Sequence, residues 1–279
     1  LWKKQMSEIE KVEATRSPAE VYDEFFVPAL FHQWGSVVAN AAGVGEGQCV
    51  LDVGCGTGVL ACVAADRVGP VGAVMGLDPD EEMLAVARRK NDTIEWRLGH
   101  AEAIPFPDES FDAVVSQFGL MFFDDKPAGL REMMRVLRPG GHLAVAVCDA
   151  LEHSPGYSTF VDLLRRLFGD RVANSFRAPF VLGDPERLLS LCADAGIFNA
   201  KVAQHEGMVH FASVQSLIST ERACAWTLGG LLDDAQFEQL VKESERVLRP
   251  FVASDGNLAF PMPVLIVTAA KARTELPEV

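Results

Sequence analysis

The chain has no cysteine pair at C-x-x-C spacing, no continuous apolar run of about 18 residues, no long basic block and no internal repeat. Each absence removes a class of function. Zinc ribbons and dithiol redox sites need paired cysteines, and the six present (Cys49, Cys55, Cys62, Cys148, Cys192 and Cys224) are scattered, several inside apolar runs. They are expected as buried free thiols in a reducing compartment. No His/carboxylate cluster has metal-ligand spacing, so no metal is expected. Without a long apolar run a transmembrane helix is not expected. Leu1–Met6 are not followed by a signal-type apolar segment, so a cytoplasmic protein is predicted. Positive charge is also scarce: 25 Lys and Arg against 39 Asp and Glu, a formal net charge of −14. A phosphate backbone requires clustered cations, so nucleic acid is not an expected partner. Arg88-Arg89-Lys90 and Arg165-Arg166 read as solvated helix faces.

What is present is core and punctuation. The 279 residues are 49% hydrophobic, enough for one large α/β domain with elaborations. Strands are predicted at Cys49–Val53, Val74–Asp78, Ile94–Leu98, Ala113–Ser116 and His142–Val147. Helical spacing separates them, as in Met83, Leu84, Val86 and Ala87, and again in Leu130, Met133, Met134 and Leu137. Such alternation implies right-handed βαβ units and a parallel sheet covered on both faces. Ser17–Ala42 reads as one or two helices carrying an aromatic stripe. Later helices are predicted at Gly156–Phe168, Pro185–Ala195, Val214–Thr227 and Asp234–Leu248. Strands are predicted at Lys201–Phe211, bulged at Gly207, and at Pro263–Ala270.

The sharpest signal is Val50-Leu51-Asp52-Val53-Gly54-Cys55-Gly56-Thr57-Gly58. An apolar strand ends in a carboxylate, three glycines follow within five positions, and a helix-compatible run begins at Val59. Glycines there let a nucleotide-like cofactor approach the backbone at the carboxyl edge of a sheet. A nicotinamide dinucleotide fits poorly, because Val59 stands where the fingerprint needs a small residue and Asp52 would meet a pyrophosphate. A ligand with an ammonium group and a positive sulfur suits Asp52 better.

Leu51–Gly58 resembles the first motif of the class I S-adenosylmethionine (SAM) methyltransferases. Gly99–Asp112 is similar to the adenine segment of their ubiquinone/menaquinone-biosynthesis-like branch (methyltransferase type 11), although His100 replaces the acidic residue common there. The resemblance covers about residues 48–147. It implies a Rossmann-like seven-stranded sheet, mostly parallel with an antiparallel end strand, helices on both faces and helical lid additions. In this division residues 1–47 form an N-terminal helical cap. Residues 48–279 form the SAM-binding domain, with insertions around 151–198 and 213–258.

On this reading Asp52, Gly54 and Gly56 cradle the methionine half of SAM. Asp78, 24 positions beyond Gly54 at the end of the second strand, takes the ribose diol. Its alternative is a helix N-cap. An alanine at 78 is then expected to weaken binding with little loss of fold. Met83 covers the adenine or packs in the core, and Ala101 and Glu102 meet the adenine edge. Ser116 and Gln117 lie near the cofactor, with Phe118 against it and Phe122 and Phe123 as aromatic packing.

The implied reaction is in-line transfer of a methyl from SAM, leaving S-adenosylhomocysteine (SAH), to a small, apolar or aromatic organic acceptor. The alternatives are a SAM-binding regulatory protein without transfer activity and a protein or RNA methyltransferase. If a base is needed, His153 and His32 are the candidates. Tyr22, Phe26, Trp34, Trp226 and Leu231 are candidate pocket residues, with core packing as the alternative for each. The catalytic residue, the methylated atom and the oligomeric state are left open.

Overall fold

The computed structural model of the protein describes residues 16–224 and 227–273. Among these residues nine strands form in chain order: β1 (Cys49–Val53), β2 (Ala73–Asp78), β3 (Glu95–Leu98), β4 (Phe111–Gln117), β5 (Leu137–Cys148), β6 (Lys201–His205), β7 (Met208–Phe211), β8 (Leu258–Pro261) and β9 (Val264–Ala270). Seven make one sheet in the order β3-β2-β1-β4-β5-β9-β6. The first five run parallel, and β9 is antiparallel to β5 and β6. The antiparallel strand therefore lies between β5 and β6, one place in from the edge. Val50, Leu51, Val53 and Ala113–Val115 are buried, as strands covered on both faces must be.

The helices are α1 (Pro18–Val21), α2 (Gly35–Ala41), α3 (Val59–Val68), α4 (Glu81–Lys90), α5 (Lys126–Val136), α6 (Pro155–Phe168), α7 (Asp170–Arg177), α8 (Pro185–Asp194), α9 (Val214–Ala223) and α10 (Asp234–Val247). Between α1 and α2, Tyr22–Phe31 is wound as a π-helix. Side chains fix the helix starts. Asp80, Asp125, Asp184 and Ser213 accept from orphan first-turn N–H groups, and Asp233 with Gln236 closes a capping box. Helix α2 packs on α3 and the centre of the sheet, while α5 packs on α8, β4 and β5. Helix α5 ends at Val136, and Leu137 already belongs to β5.

The segment expected as one strand, Lys201–Phe211, is two strands in different sheets. β6 pairs with β9, then the chain bends at Gly207 and β7 pairs with β8. Trp34 causes the bend. A Cβ on residue 207 would lie 2.1 Å from its ring, so only glycine passes there. Gln33 secures β7, donating from Nε2 to the Met208 carbonyl at 2.7 Å and accepting from the Met208 N–H at 3.2 Å. The helix expected over Val214–Thr227 stops at Ala223, and Trp226 lies outside the described residues.

Candidate cofactor and acceptor site

Chain connections leave β1 toward β2 on one side, while β4 lies on the other. This switch of direction opens a crevice at the carboxyl ends of the strands. The glycine turn forms its floor. Gly54, Gly56 and Gly58 all have positive φ, at 69°, 54° and 83°. The turn is tied to β2 by the N–H groups of Gly54 and Cys55, which donate to the Leu77 carbonyl at 2.8 and 3.0 Å. Trp96 props it from β3. A Cβ on Gly58 or on Gly76 would stand 2.4 Å from the Trp96 ring, so both must be glycine.

Asp52, next to last in β1, lies beneath this turn, 1% exposed, and neither carboxylate oxygen has a hydrogen-bond partner. Burial pushes its pKa up to about 8. The Ala61 amide in the first turn of α3 opposes the rise, and the Asp78 charge adds to it. Asp78 closes the next strand. Its Oδ2 accepts from the Gly56 N–H at 2.7 Å and its Oδ1 from the Asp80 N–H at 2.9 Å. Burial raises its pKa as well, with those two amides opposing. The N-cap of α4 is Asp80, accepting from Glu82 and Met83, so Asp78 is not the cap. Asp78 also locks the glycine turn, so loss of its carboxyl is not confined to a ligand contact.

These groups face one cavity of about 270 Å³. Its cofactor-side wall includes Asp52, Gly54, Gly56, Asp78, Met83 and the Gly99–Glu102 segment. Met83 is buried beside Ala19 and Val86, with Tyr22 packed against them. Glu102 has one oxygen engaged, accepting from the Asp125 N–H at 3.2 Å. Gln117 lines the cavity and donates to the Phe31 carbonyl at 3.1 Å, while its Oε1 has no partner. Ser116 is fully buried below Gly119, whose added Cβ would meet its Oγ at 2.9 Å, so it supports the turn and does not line the cavity. Phe118 does line it, and φ of 57° there is strained for a residue with a Cβ.

The other wall is aromatic. Tyr22 lies across the glycine turn, with a ring carbon 3.9 Å from where a Gly56 Cβ would be. Its ring stacks on Phe31 at 5.4 Å, and Phe31 in turn packs on Phe118 at 5.0 Å. Phe26 lines the same wall. Trp34 does not reach the cavity, because it is spent on the Gly207 bend. Leu231 is also away from the wall. Neither candidate base is brought to the site: His153 is 55% exposed and held by Asp149, Nδ1 to Oδ2 3.0 Å, and His32 is exposed. Among the described residues no three His, Cys, Asp or Glu side chains converge on a point that could hold a metal ion.

The far end was not anticipated. Tyr157 from α6, Glu221 from α9 and Thr227 enter the wall there. The signal existed in the spacing: Val214, Leu217, Ile218 and Glu221 fall at i, i+3, i+4 and i+7, which places a carboxyl on the buried stripe of α9.

Partnerless buried polar atoms are rare in folded proteins and call for a reason. Of the eight such side-chain atoms among the described residues, five belong to this wall: both Asp52 oxygens, Thr57 Oγ1, Gln117 Oε1 and the Tyr157 hydroxyl. The floor of the cavity therefore fits a cationic, hydrogen-bonding ligand. Residues 51–145 match the model of a methyltransferase domain family. The ubiquinone/menaquinone biosynthesis C-methyltransferase UbiE of Hahella chejuensis is 38% identical over 213 residues, 68% of this chain and 86% of that one. The chain belongs to the UbiE-like SAM-dependent methyltransferases. The demethylmenaquinone methyltransferase of Listeria welshimeri is 34% identical over 194 residues, 64% of this chain and 82% of that protein. Among solved structures, the YcgJ protein of Bacillus subtilis superposes with a TM-score of 0.58 at 19% identity. That alignment covers 87% of this chain and all of YcgJ, and it shows the same fold. SAM is the cofactor of this methyltransferase, and no described helix is long and apolar enough to cross a membrane.

Proposed function

We propose that this methyltransferase transfers the methyl of SAM to a small, apolar, aromatic acceptor held in the same cavity as the cofactor. The observation that carries the reading is the continuity of the cavity from the unpartnered Asp52 to the aromatic wall of Tyr22, Phe26, Phe31 and Phe118. The Hahella and Listeria relatives are named for quinone biosynthesis, and an apolar ring of that kind matches such a wall.

When bound, SAM supplies a methyl on a positively charged sulfur. Asp52 would hold its ammonium, a pairing that lets this buried carboxylate ionise at low cost. Asp78 keeps unused acceptor lone pairs beyond its two amide bonds, and these would take the ribose hydroxyls. Met83, Ala101 and the free oxygen of Glu102 would flank the adenine. The positive φ of Gly54 and Gly56 keeps the floor free of side chains. The aromatic wall then aligns the acceptor and excludes water, which is the main contribution needed when the electrophile is already activated. With a neutral acceptor the positive charge would be spread over a larger volume during transfer, and a dry apolar wall would favour that dispersed charge over the compact sulfonium.

The test is transfer of labelled methyl from SAM into a metabolite extract, with Asp52→Asn as control. Label in organic-soluble small molecules with the wild type alone supports the reading. Label confined to macromolecules, or SAM binding without any transfer, overturns it.

A further inference from the structure

We infer that the end of the cavity between α6 and α9 is a polar seat for the acceptor, where Glu221 and the Tyr157 hydroxyl engage a hydroxyl group carried by an otherwise apolar ring. The inference rests on the acceptor reading above and assigns this chain's own Glu221 and Tyr157 to holding that acceptor. Glu221 is 1% exposed on the apolar face of α9, and its Oε2 accepts from Thr227 Oγ1 at 2.5 Å. No Arg or Lys is bonded to it among the described residues. Its other oxygen has no hydrogen-bond partner among the described residues. A carboxyl placed so, with one hydroxyl for company, is costly to the fold and gains a purpose only from a further donor.

Tyr157 supplies the second observation. Its ring is fixed by Phe260, Phe176 and Phe180, with centroids 5.0, 5.5 and 5.9 Å away. The hydroxyl of that immobilised ring is buried and has no partner. Burial above all holds the phenol protonated, so it donates. Glu221 is itself pushed up to about 8 by burial, with Thr227 opposing. One acceptor and one donor, pre-positioned on two helices, match the two hydrogen-bonding capacities of a single hydroxyl. The rest of this end is apolar, including Phe176, Phe180 and Met262, and would take the ring. The cofactor carboxylates, Asp52 and Asp78, belong to β1 and β2, so the seat is a separate polar group in the same cavity.

The probes are 2-naphthol and 2-methylnaphthalene, which share a shape and differ in the hydroxyl. Each is titrated by calorimetry into the SAH-loaded protein, its Glu221→Leu variant and its Tyr157→Phe variant. The wild type is expected to favour 2-naphthol by about tenfold or more, because a site built around a hydroxyl rejects the analogue lacking it. Glu221→Leu is expected to abolish the preference. Tyr157→Phe keeps the packed ring and is expected to cut the preference at least about threefold, with 2-methylnaphthalene affinity unchanged. It also carries the test should the leucine variant fail to fold. Equal binding of both probes by the wild type overturns the polar seat and leaves the apolar-acceptor reading standing, as does full preference kept in both folded variants. Binding of neither probe overturns both.

Discussion

Replacing Asp52 by asparagine is expected to stabilise the ligand-free protein at alkaline pH while removing most of its grip on SAH. The folded pKa lies near 8 against 3.8 for the free side chain. The folded state therefore holds a proton that the unfolded chain releases, and stability falls as pH rises between those two values. Below about pH 4 the group contributes no penalty; above about pH 8 the penalty is complete and constant. At about 1.4 kcal/mol per pH unit the ceiling is roughly 6 kcal/mol at pH 8.5, and only about 1.6 kcal/mol at pH 5. Water entry on ionisation lowers both figures, so a difference of about 2–4 kcal/mol between the two pH values is expected. For a chain of this size that is a melting shift larger by about 4–10 °C at pH 8.5 than at pH 5. Asparagine leaves its amide as short of partners as the protonated acid, and that offset does not vary with pH. The assay is thermal unfolding of both proteins at the two pH values, with and without SAH. Saturating SAH should flatten the pH dependence of the wild type, because its ammonium stabilises the carboxylate. In the variant, SAH affinity should fall by about 100-fold or more, the cost of breaking a buried ion pair. A stability change of equal size at pH 5 and pH 8.5 would refute the reasoning.

Asp78→Ala should weaken SAH binding and also lower stability by about 1–3 kcal/mol, because the Gly56 amide loses its partner inside the glycine turn; calorimetry and urea unfolding read the two effects separately. Trp34→Ala should cost about 3–5 kcal/mol of stability with SAH affinity of the folded fraction within about twofold of wild type, since the ring supports the Gly207 bend and not the cavity. Gly58→Ala combines a left-handed backbone with a Cβ 2.4 Å from Trp96; it should lose at least about 2 kcal/mol by urea unfolding.

The cofactor half of the site was legible because local chemistry determines it. A carboxylate at a strand end and glycines at 54, 56 and 58 constrain the backbone within nine residues, whatever surrounds them. Strands β1, β2, β4 and β5 were legible for a similar reason, since each contains an apolar run bounded by turn residues. What escaped depends on partners far along the chain. Lys201–Phe211 has the pattern of one strand, and only the Trp34 ring, some 170 residues away, divides it at Gly207. The aromatic stripe around Tyr22 carried the same periodic signal for residues that line the cavity and for Trp34, which does not. His153 looked available until Asp149, four residues earlier, took its ring nitrogen at 3.0 Å. Glu221 was readable, since a carboxylate at the i+7 position of an apolar stripe is out of place on a core-facing surface, but its value emerges only when α6 brings Tyr157 into the same wall.

The central claim is that one cavity holds SAM on Asp52 and Asp78 and continues into an apolar acceptor chamber. A crystal structure of the SAH complex tests it most directly. The account predicts the SAH ammonium within ion-pair distance of Asp52, the ribose hydroxyls on Asp78, and the sulfur facing the chamber walled by Phe31 and Phe118. SAH bound with its ammonium away from Asp52, or with its sulfur turned from that chamber, would contradict it.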